Sequence, residues 1–526
     1  MNPVDLDNDT GHHVCPRPRL SDFFQHPRGF RPHRVLPYPF LSRLILRRFF
    51  PNPLSGVRML RFFSLLALPL LLGVTACDTA KVQSAGVQAD VAGTDQADSQ
   101  VGDDADDATG QSDDAQPGED AAPDVPPDVP VGPFVPAKHN LPPVLTYLKG
   151  GLLKHPQMVT VTFPGDALAA DLGKFDKEVT TSDWWHEVTA GYCESSTPAS
   201  CIGDGVDGGA YQLKSAPAAT YADSTDGGTS DIATLLQNAV TAQELPAPAT
   251  ETLYMLYFPK GVSIKLSSNK TVAQSCQAFG AYHHFTTING VKAAYAVVPR
   301  CKGHGDLDAL GAATVSASHE IIEAATDPYL EVDQATSFIS GGFYMGQSNP
   351  DNVSWLLVLQ AGEVGDLCVD FAGDFTGKYE DHVQMGNYTV QRAWSNAAVK
   401  AGHDPCVPAY PDTYFNVAPA KGKSHQQIGV GETATFSAIA FSDAAMPDGW
   451  EVQGIDYSAY QTGSSVLSIQ INGQDTYTAH NGDALTVTIT ANDQPSPQFG
   501  PDIGIVLSSR NANGTYHFWP IWVHVK

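Results

Sequence analysis

Apolar and polar positions alternate with a period of two in many short stretches of this chain and with a helical period in two longer ones. Met158-Val159-Thr160-Val161-Thr162-Phe163 alternates as a strand does, and Pro164-Gly165-Asp166 turns the chain after it. Residues 167–179 place Leu168, Leu172 and Phe175 at helical spacing. Residues 252–258 form an apolar run stopped by Pro259, and 293–298 form another, so both predict buried strands. Residues 306–325 predict a long helix, with Asp306 as N-cap and Pro328 as the stop. Its Ala312, Ala313, Ser316, Ala317 and Ser318 predict close packing on a neighbour. Beyond Asp412 the pattern changes. Residues 433–439, 465–471, 484–489 and 503–507 alternate or run apolar, with Asn472-Gly473 and Asn481-Gly482 as turn signals between them. The expected fold class is therefore α+β: a mixed α/β domain over 137–410, then an all-β immunoglobulin-like sandwich over 411–526.

The stretch before residue 137 reads as an address and a spacer. Met59-Leu60-Arg61 opens a basic start, and residues 62–72 are an apolar run too short to span a bilayer as a mature helix. Val74-Thr75-Ala76-Cys77 follows, small residues before a cysteine as in a bacterial lipobox. Residues 59–76 are thus expected to be a lipoprotein signal peptide, removed so that Cys77 becomes lipidated. An ordinary secretory signal is the alternative, and both readings export the chain. Residues 1–58, rich in Pro, Arg, His and Phe without periodicity, are read as an extension upstream of a start at Met59. Residues 77–136 hold mainly Asp, Ala, Gly, Gln, Ser and Pro, too little apolar surface to offset the entropy of ordering, and predict a disordered acidic tether. Much of the net charge of −27 lies there. That balance argues against a nucleic-acid partner, whose phosphates need a basic face. The expected location is the cell envelope, as a membrane-anchored lipoprotein facing periplasm or cell surface.

Cys15 falls in the upstream extension. Beyond Cys77, six cysteines remain, an even number in an oxidising compartment. Proximity in sequence suggests Cys193–Cys201, Cys276–Cys301 and Cys368–Cys406, one of many possible pairings. The absence of C-x-x-C speaks against a zinc-thiolate or thioredoxin-like site.

The long helix carries Ser318-His319-Glu320-Ile321-Ile322-Glu323, an H-E-x-x-E one residue away from the H-E-x-x-H of zinc peptidases. Positions i and i+4 share a helix face, so His319 and Glu323 can hold one metal ion together. Glu320 then lies where a zinc hydrolase keeps its general base. A third ligand is needed, and Asp366 and Glu363, in the Gly-containing turn Glu363-Val364-Gly365-Asp366-Leu367-Cys368, are the first candidates. Asp327 is the next, with a turn role before Pro328 as its alternative. His283 and His284 are adjacent, so at most one faces a site. Gly203-Asp204-Gly205-Val206-Asp207-Gly208 spells G-x-G-x-x-G but is read as a loop, and no G-x-S-x-G elbow or P-loop is present.

H-E-x-x-E-A-x-T-D-P at 319–328, E-V-G-D-x-C at 363–368, and Val390-Gln391-Arg392-Ala393-Trp394-Ser395-Asn396 together resemble a group of exported bacterial zincin-like metallopeptidases. A fainter resemblance, through Trp184-Trp185 and Gly280-Ala281-Tyr282-His283-His284, reaches the plant phosphate-induced (EXORDIUM-like) proteins. The resemblance covers residues 152–407. It implies a zincin-like domain with zinc as cofactor, while the oxygen-rich ligand set leaves manganese or calcium open. Two functions follow as expectations. One is a lipid-anchored, metal-dependent peptidase-like hydrolase in which Glu320 activates water against a peptide or protein. The other is a non-catalytic binding module for a glycan, cell-surface polymer or protein on a degenerate zincin-like scaffold.

Overall fold

The computed structural model describes residues 133–526 except 226–227, 269–270, 302–306, 334–337, 347–348, 360–361, 369–381, 458, 460–464 and 496–499. The expected signal peptide, Cys77, Cys15, Asp306 and the expected tether up to residue 132 lie outside the described residues. The chain is β-rich, and its strands build two bodies.

The first body is organised by a five-stranded sheet ordered Val206–Gln212, Gln157–Thr162, Thr252–Phe258, Val291–Pro299, Tyr282–Ile288. The first four strands are parallel, and Tyr282–Ile288 closes one edge as an antiparallel partner of Val291–Pro299. Because successive side chains alternate faces, this sheet separates two hydrophobic clusters. Val159, Val161, Tyr254, Leu256 and Tyr295 pack with Ile232 and Leu236 of helix Asp231–Thr241. Met158, Leu253, Met255, Ala294 and Ala296 pack instead with Leu172 and Phe175 of helix Ala169–Val179 and with Ala313, Ala317 and Ile321.

Those last three belong to helix Ala309–Thr326, which carries the H-E-x-x-E stretch. Its cap is Asp308, not Asp306. The Asp308 carboxylate accepts the Gly311 N–H at 2.7 Å, three residues on, the spacing an N-cap requires. Every residue from Gly311 to Thr326 except Ser316 is buried, so the helix lies inside the body rather than along its surface. Small side chains permit this. Thr314 donates its hydroxyl to the Thr389 carbonyl at 2.7 Å, and the Ser318 hydroxyl accepts the Gln391 N–H at 2.8 Å, locking strand Tyr388–Gln391 along the helix.

The glycine-rich stretch at 203–208 is a loop only in its first half; Val206 opens strand Val206–Gln212. A Cβ on Gly208 would stand 2.6 Å from the Met158 carbonyl oxygen, so glycine serves here for close approach to the neighbouring strand. The three disulfides are Cys193–Cys201, Cys276–Cys301 and Cys368–Cys406.

The second body is a sandwich. One sheet runs Phe415–Pro419, Thr433–Ser442, Ala484–Ala491, Leu467–Ile471, and the other runs His425–Ile428, Tyr516–Val525, Asp502–Arg510, Trp450–Asp456, Thr476–Ala479. Pairing is antiparallel apart from His425–Ile428 against Tyr516–Val525. Inward residues such as Val487, Ile489, Ile505 and Leu507 are fully buried between the sheets. The two bodies share one continuous hydrophobic cluster. At their junction Trp355, in helix Pro350–Leu359, meets Trp394 (5.1 Å between ring centroids) on one side and Trp519 (5.6 Å) of the sandwich on the other.

A candidate metal centre

His319 and Glu323 stand one turn apart on the buried helix, with His319 Nε2 3.2 Å from Glu323 Oε2. The turn 363–368 closes over them. Glu323 Oε1 accepts the N–H groups of both Gly365 (3.1 Å) and Asp366 (3.2 Å), leaving Oε2 for the imidazole side. Residue 365 must be glycine for this fit. A Cβ there would stand 2.8 Å from His319 Nδ1 and 2.9 Å from Glu323 Oε1. Asp366 Oδ1 comes within 3.6 Å of His319 Nε2. The turn is held by the Trp394 N–H bonded to the Val364 carbonyl (3.0 Å) and by the Cys368–Cys406 bond. Cys406 is in turn the strand partner of Trp394.

His283 comes from the edge strand Tyr282–Ile288 and was not among the ligands singled out from the sequence. Its Nδ1 is 3.4 Å from Glu320 Oε2 and 3.5 Å from Glu323 Oε2, and its Nε2 is 3.6 Å from Glu363 Oε1. The signal for it was the H-H pair in an alternating stretch. In a strand one of two neighbours must face each side, and His284 faces the other way, edge-on to Tyr295 at 5.9 Å. Asp327 sits at the end of the helix, where its Oδ1 accepts the Gly342 N–H at 2.8 Å. The residues expected as a site, His319, Glu320, Glu323, Glu363 and Asp366, are thus brought together with His283 and Asp327.

Both imidazoles are fixed from behind. Gln391 donates its amide N–H to the Gly365 carbonyl (2.8 Å), which turns its Oε1 toward His319 Nδ1 at 2.9 Å. An amide oxygen only accepts, so Nδ1 carries a hydrogen, and in the neutral ring Nε2 presents its lone pair to the carboxylates. His283 Nε2 likewise donates to the Asp327 carbonyl at 3.1 Å, leaving Nδ1 facing Glu320 and Glu323. This anchoring of the outer nitrogen is what metal-binding histidines use to fix tautomer and orientation.

The electrostatics are lopsided. Glu320, Glu323, Asp327, Glu363 and Asp366 are all at least nine-tenths buried, and among the described residues their ion-pair partners are the two imidazoles. Glu363 Oε1 and Asp327 Oδ2 are buried without a hydrogen-bond partner. Burial pushes the carboxyls of Glu363 and Asp366 well above the usual range, and Glu323 adds to it. Burial also raises Glu320 and pushes Asp327 up to about 7. Burial works against charge on His283 and His319, but the facing carboxylates outweigh it and hold both well above their usual range. Those imidazoles in turn outweigh burial at Glu323 and hold its carboxyl well below. Left to itself, the chain neutralises this cluster with protons.

The donor set fits a metal ion. Ligands about 2.0 Å from a tetrahedral ion lie roughly 3.3 Å apart, close to the 3.2 Å between His319 Nε2 and Glu323 Oε2. The orphaned oxygens and the glycine cradle at 365 point the same way.

No protein-family model matches this chain, and no curated protein matches it. Among solved structures it is similar to domains 4 and 5 of the S-layer protein SbsC, at 15% identity and TM-score 0.15 over 23% of this chain and 55% of that one. It is also similar to the SrpA adhesin from Streptococcus sanguinis, at 11% identity and TM-score 0.16 over 22% of this chain and 60% of that one. A third is the BIgI domain of beta protein from S. agalactiae bound to CEACAM1, at 16% identity and TM-score 0.14 over 22% and 97%. The chain spans about half the length of the first of these. Among the described residues, no helix is long and apolar enough to cross a membrane.

Proposed function

We propose that this is an exported, metal-dependent hydrolase of the peptidase type, anchored by lipid at Cys77, with its metal held by His319, Glu323 and Asp366. One observation carries the reading. Two buried imidazoles, each tied to a carbonyl through its outer nitrogen, aim their inner nitrogens at carboxylates that also accept. With the imidazoles neutral these are acceptors facing acceptors in a desolvated place, which protons relieve in the metal-free chain and a divalent cation would relieve in the loaded one. When bound, a zinc or manganese ion supplies Lewis-acid polarisation of a substrate carbonyl and acidifies water.

The chain's own groups do the rest. Glu320 Oε2, beside His283 Nδ1 at 3.4 Å, accepts the proton of the attacking water and returns it to the leaving amine. Burial raises the Glu320 carboxyl, the direction that makes it a better base. Tyr282–Ile288 is the terminal strand of its sheet, and an extended peptide laid along that edge passes His283. The three disulfides suit a protein that works outside the reducing cytosol.

The test uses the full chain, assayed for metal content and for cleavage of a peptide library. Wild type should hold divalent metal and His319→Ala should lose it. Glu320→Gln should keep the metal and lose cleavage on the order of 10²–10⁴-fold. Cleavage undiminished in Glu320→Gln removes the mechanism. A chain without metal after exposure to zinc, manganese and calcium removes the hydrolase reading in favour of a binding module.

A further inference from the structure

The donor atoms around Glu323 do not form one ring. They group as two triads, His319 with Glu320 and Glu323, and His283 with Glu323 and Glu363, each with donor atoms within 4.8 Å of one another. Glu323 is common to both. Its Oε2 is 3.2 Å from His319 Nε2 on one side and 3.5 Å from His283 Nδ1 on the other. Its Oε1 is held by the Gly365 and Asp366 N–H groups, so one carboxylate oxygen points between the two imidazoles.

Geometry separates one ion from two. Five buried carboxyls, those of Glu320, Glu323, Asp327, Glu363 and Asp366, meet here, and among the described residues no lysine or arginine pairs with them. Buried acids gathered without a basic side chain call for cations, and the donor atoms offer two places for them. A cation beside His319 and Asp366 also leaves Glu363 unserved. Glu363 is 6% exposed, and its Oε1 has no hydrogen-bond partner.

We infer that the centre is dinuclear: a second divalent cation binds between His283, Glu363 and Glu323, with Glu323 bridging it to the first. The inference rests on the metal-centre reading above and extends it. Two ions sharing a carboxylate sit roughly 3.5–4 Å apart, the arrangement that clamps both the attacking and the leaving atoms of a displacement. In this arrangement His283, from the edge strand, is a ligand of the second ion.

Metal stoichiometry and spin coupling test it without reference to activity. Full-length chain loaded with manganese and freed of excess should hold two ions, and its electron paramagnetic resonance should show an exchange-coupled pair. Glu363→Gln should hold one and give the spectrum of an isolated ion. One ion in both proteins, with an isolated-ion spectrum in wild type, overturns the second site and leaves the first intact. No ion in either overturns both readings. Should Glu363→Gln fail to fold, as judged by circular dichroism, the wild-type spectrum decides alone: coupled supports the pair, isolated overturns it.

Discussion

Tyr282 and His283 are neighbours in one strand, and each faces a buried carboxylate from an opposite side of the same sheet. On the Tyr282 side, Asp223 accepts the hydroxyls of Tyr282 (2.6 Å) and Tyr295 (2.7 Å) on one oxygen and the Ser224 N–H (2.8 Å) on the other. On the His283 side, carboxyls face other carboxyls and the inner nitrogens of two imidazoles, and two of their oxygens have no hydrogen-bond partner. The first pocket is a finished structural element. The second is finished only by protons or cations. A buried acid is thus informative through its neighbours: surrounded by donors it holds the fold, and surrounded by acceptors it is set up to bind.

The comparison can be pressed at three points. The largest effect concerns Asp176, an acid surrounded by donors, which accepts the hydroxyls of Thr160 and Tyr257 at 2.6 Å each. Burial pushes its carboxyl up to about 7 from 3.8. A pKa raised on folding means that its contribution is full below about pH 4, declines as pH rises to about 7, and is flat above, a loss on the order of 4 kcal/mol. Urea melts across that range should show the decline in wild type and a flatter profile in Asp176→Asn. Next, Asp223→Asn replaces an acceptor with a donor facing either the tyrosines or the Ser224 N–H, and should cost about 1–3 kcal/mol in the same assay. The smallest effect is expected of Asp366→Asn, measured in chelator. It replaces a carboxyl that burial already holds against ionisation in the metal-free chain, so stability should change by less than about 1 kcal/mol, while metal affinity falls. A loss as large as that of Asp223→Asn would erase the distinction between the pockets.

Much of this was legible in the sequence because it is local. The apolar run at Thr252–Phe258 is a strand with every residue buried, and Asn472-Gly473 adopts the positive φ values, 51° and 77°, that its turn signal implies. Helix periodicity placed His319 and Glu323 on one face, and proximity alone anticipated the three disulfides. What stayed hidden depends on contacts distant in sequence. His283 joins the centre only because its strand is the sheet's edge, packed beside a helix that starts some two dozen residues later. Gln391 was part of a recognised motif, but its role in orienting His319 needs the Tyr388–Gln391 strand laid along the helix. Strand Tyr516–Val525 went unread because Pro520 interrupts it, yet its burial pattern is that of a central strand. The first half of the glycine motif at 203–208 turned as expected; the second half paired, since glycine also marks places where backbones meet.

The disulfide between Cys368 and Cys406 has a redox consequence. It fastens the ligand turn, two residues beyond Asp366, to the segment that pairs with Trp394. In a reducing medium that fastening is absent, and the turn that presents Asp366 and the two N–H groups gripping Glu323 keeps only its hydrogen bonds, among them that of the Trp394 N–H to the Val364 carbonyl. The bond thus couples the order of the ligand turn to the redox state of its surroundings: oxidised, it pins Asp366 and the two N–H groups on Glu323; reduced, it leaves them to the turn's remaining hydrogen bonds.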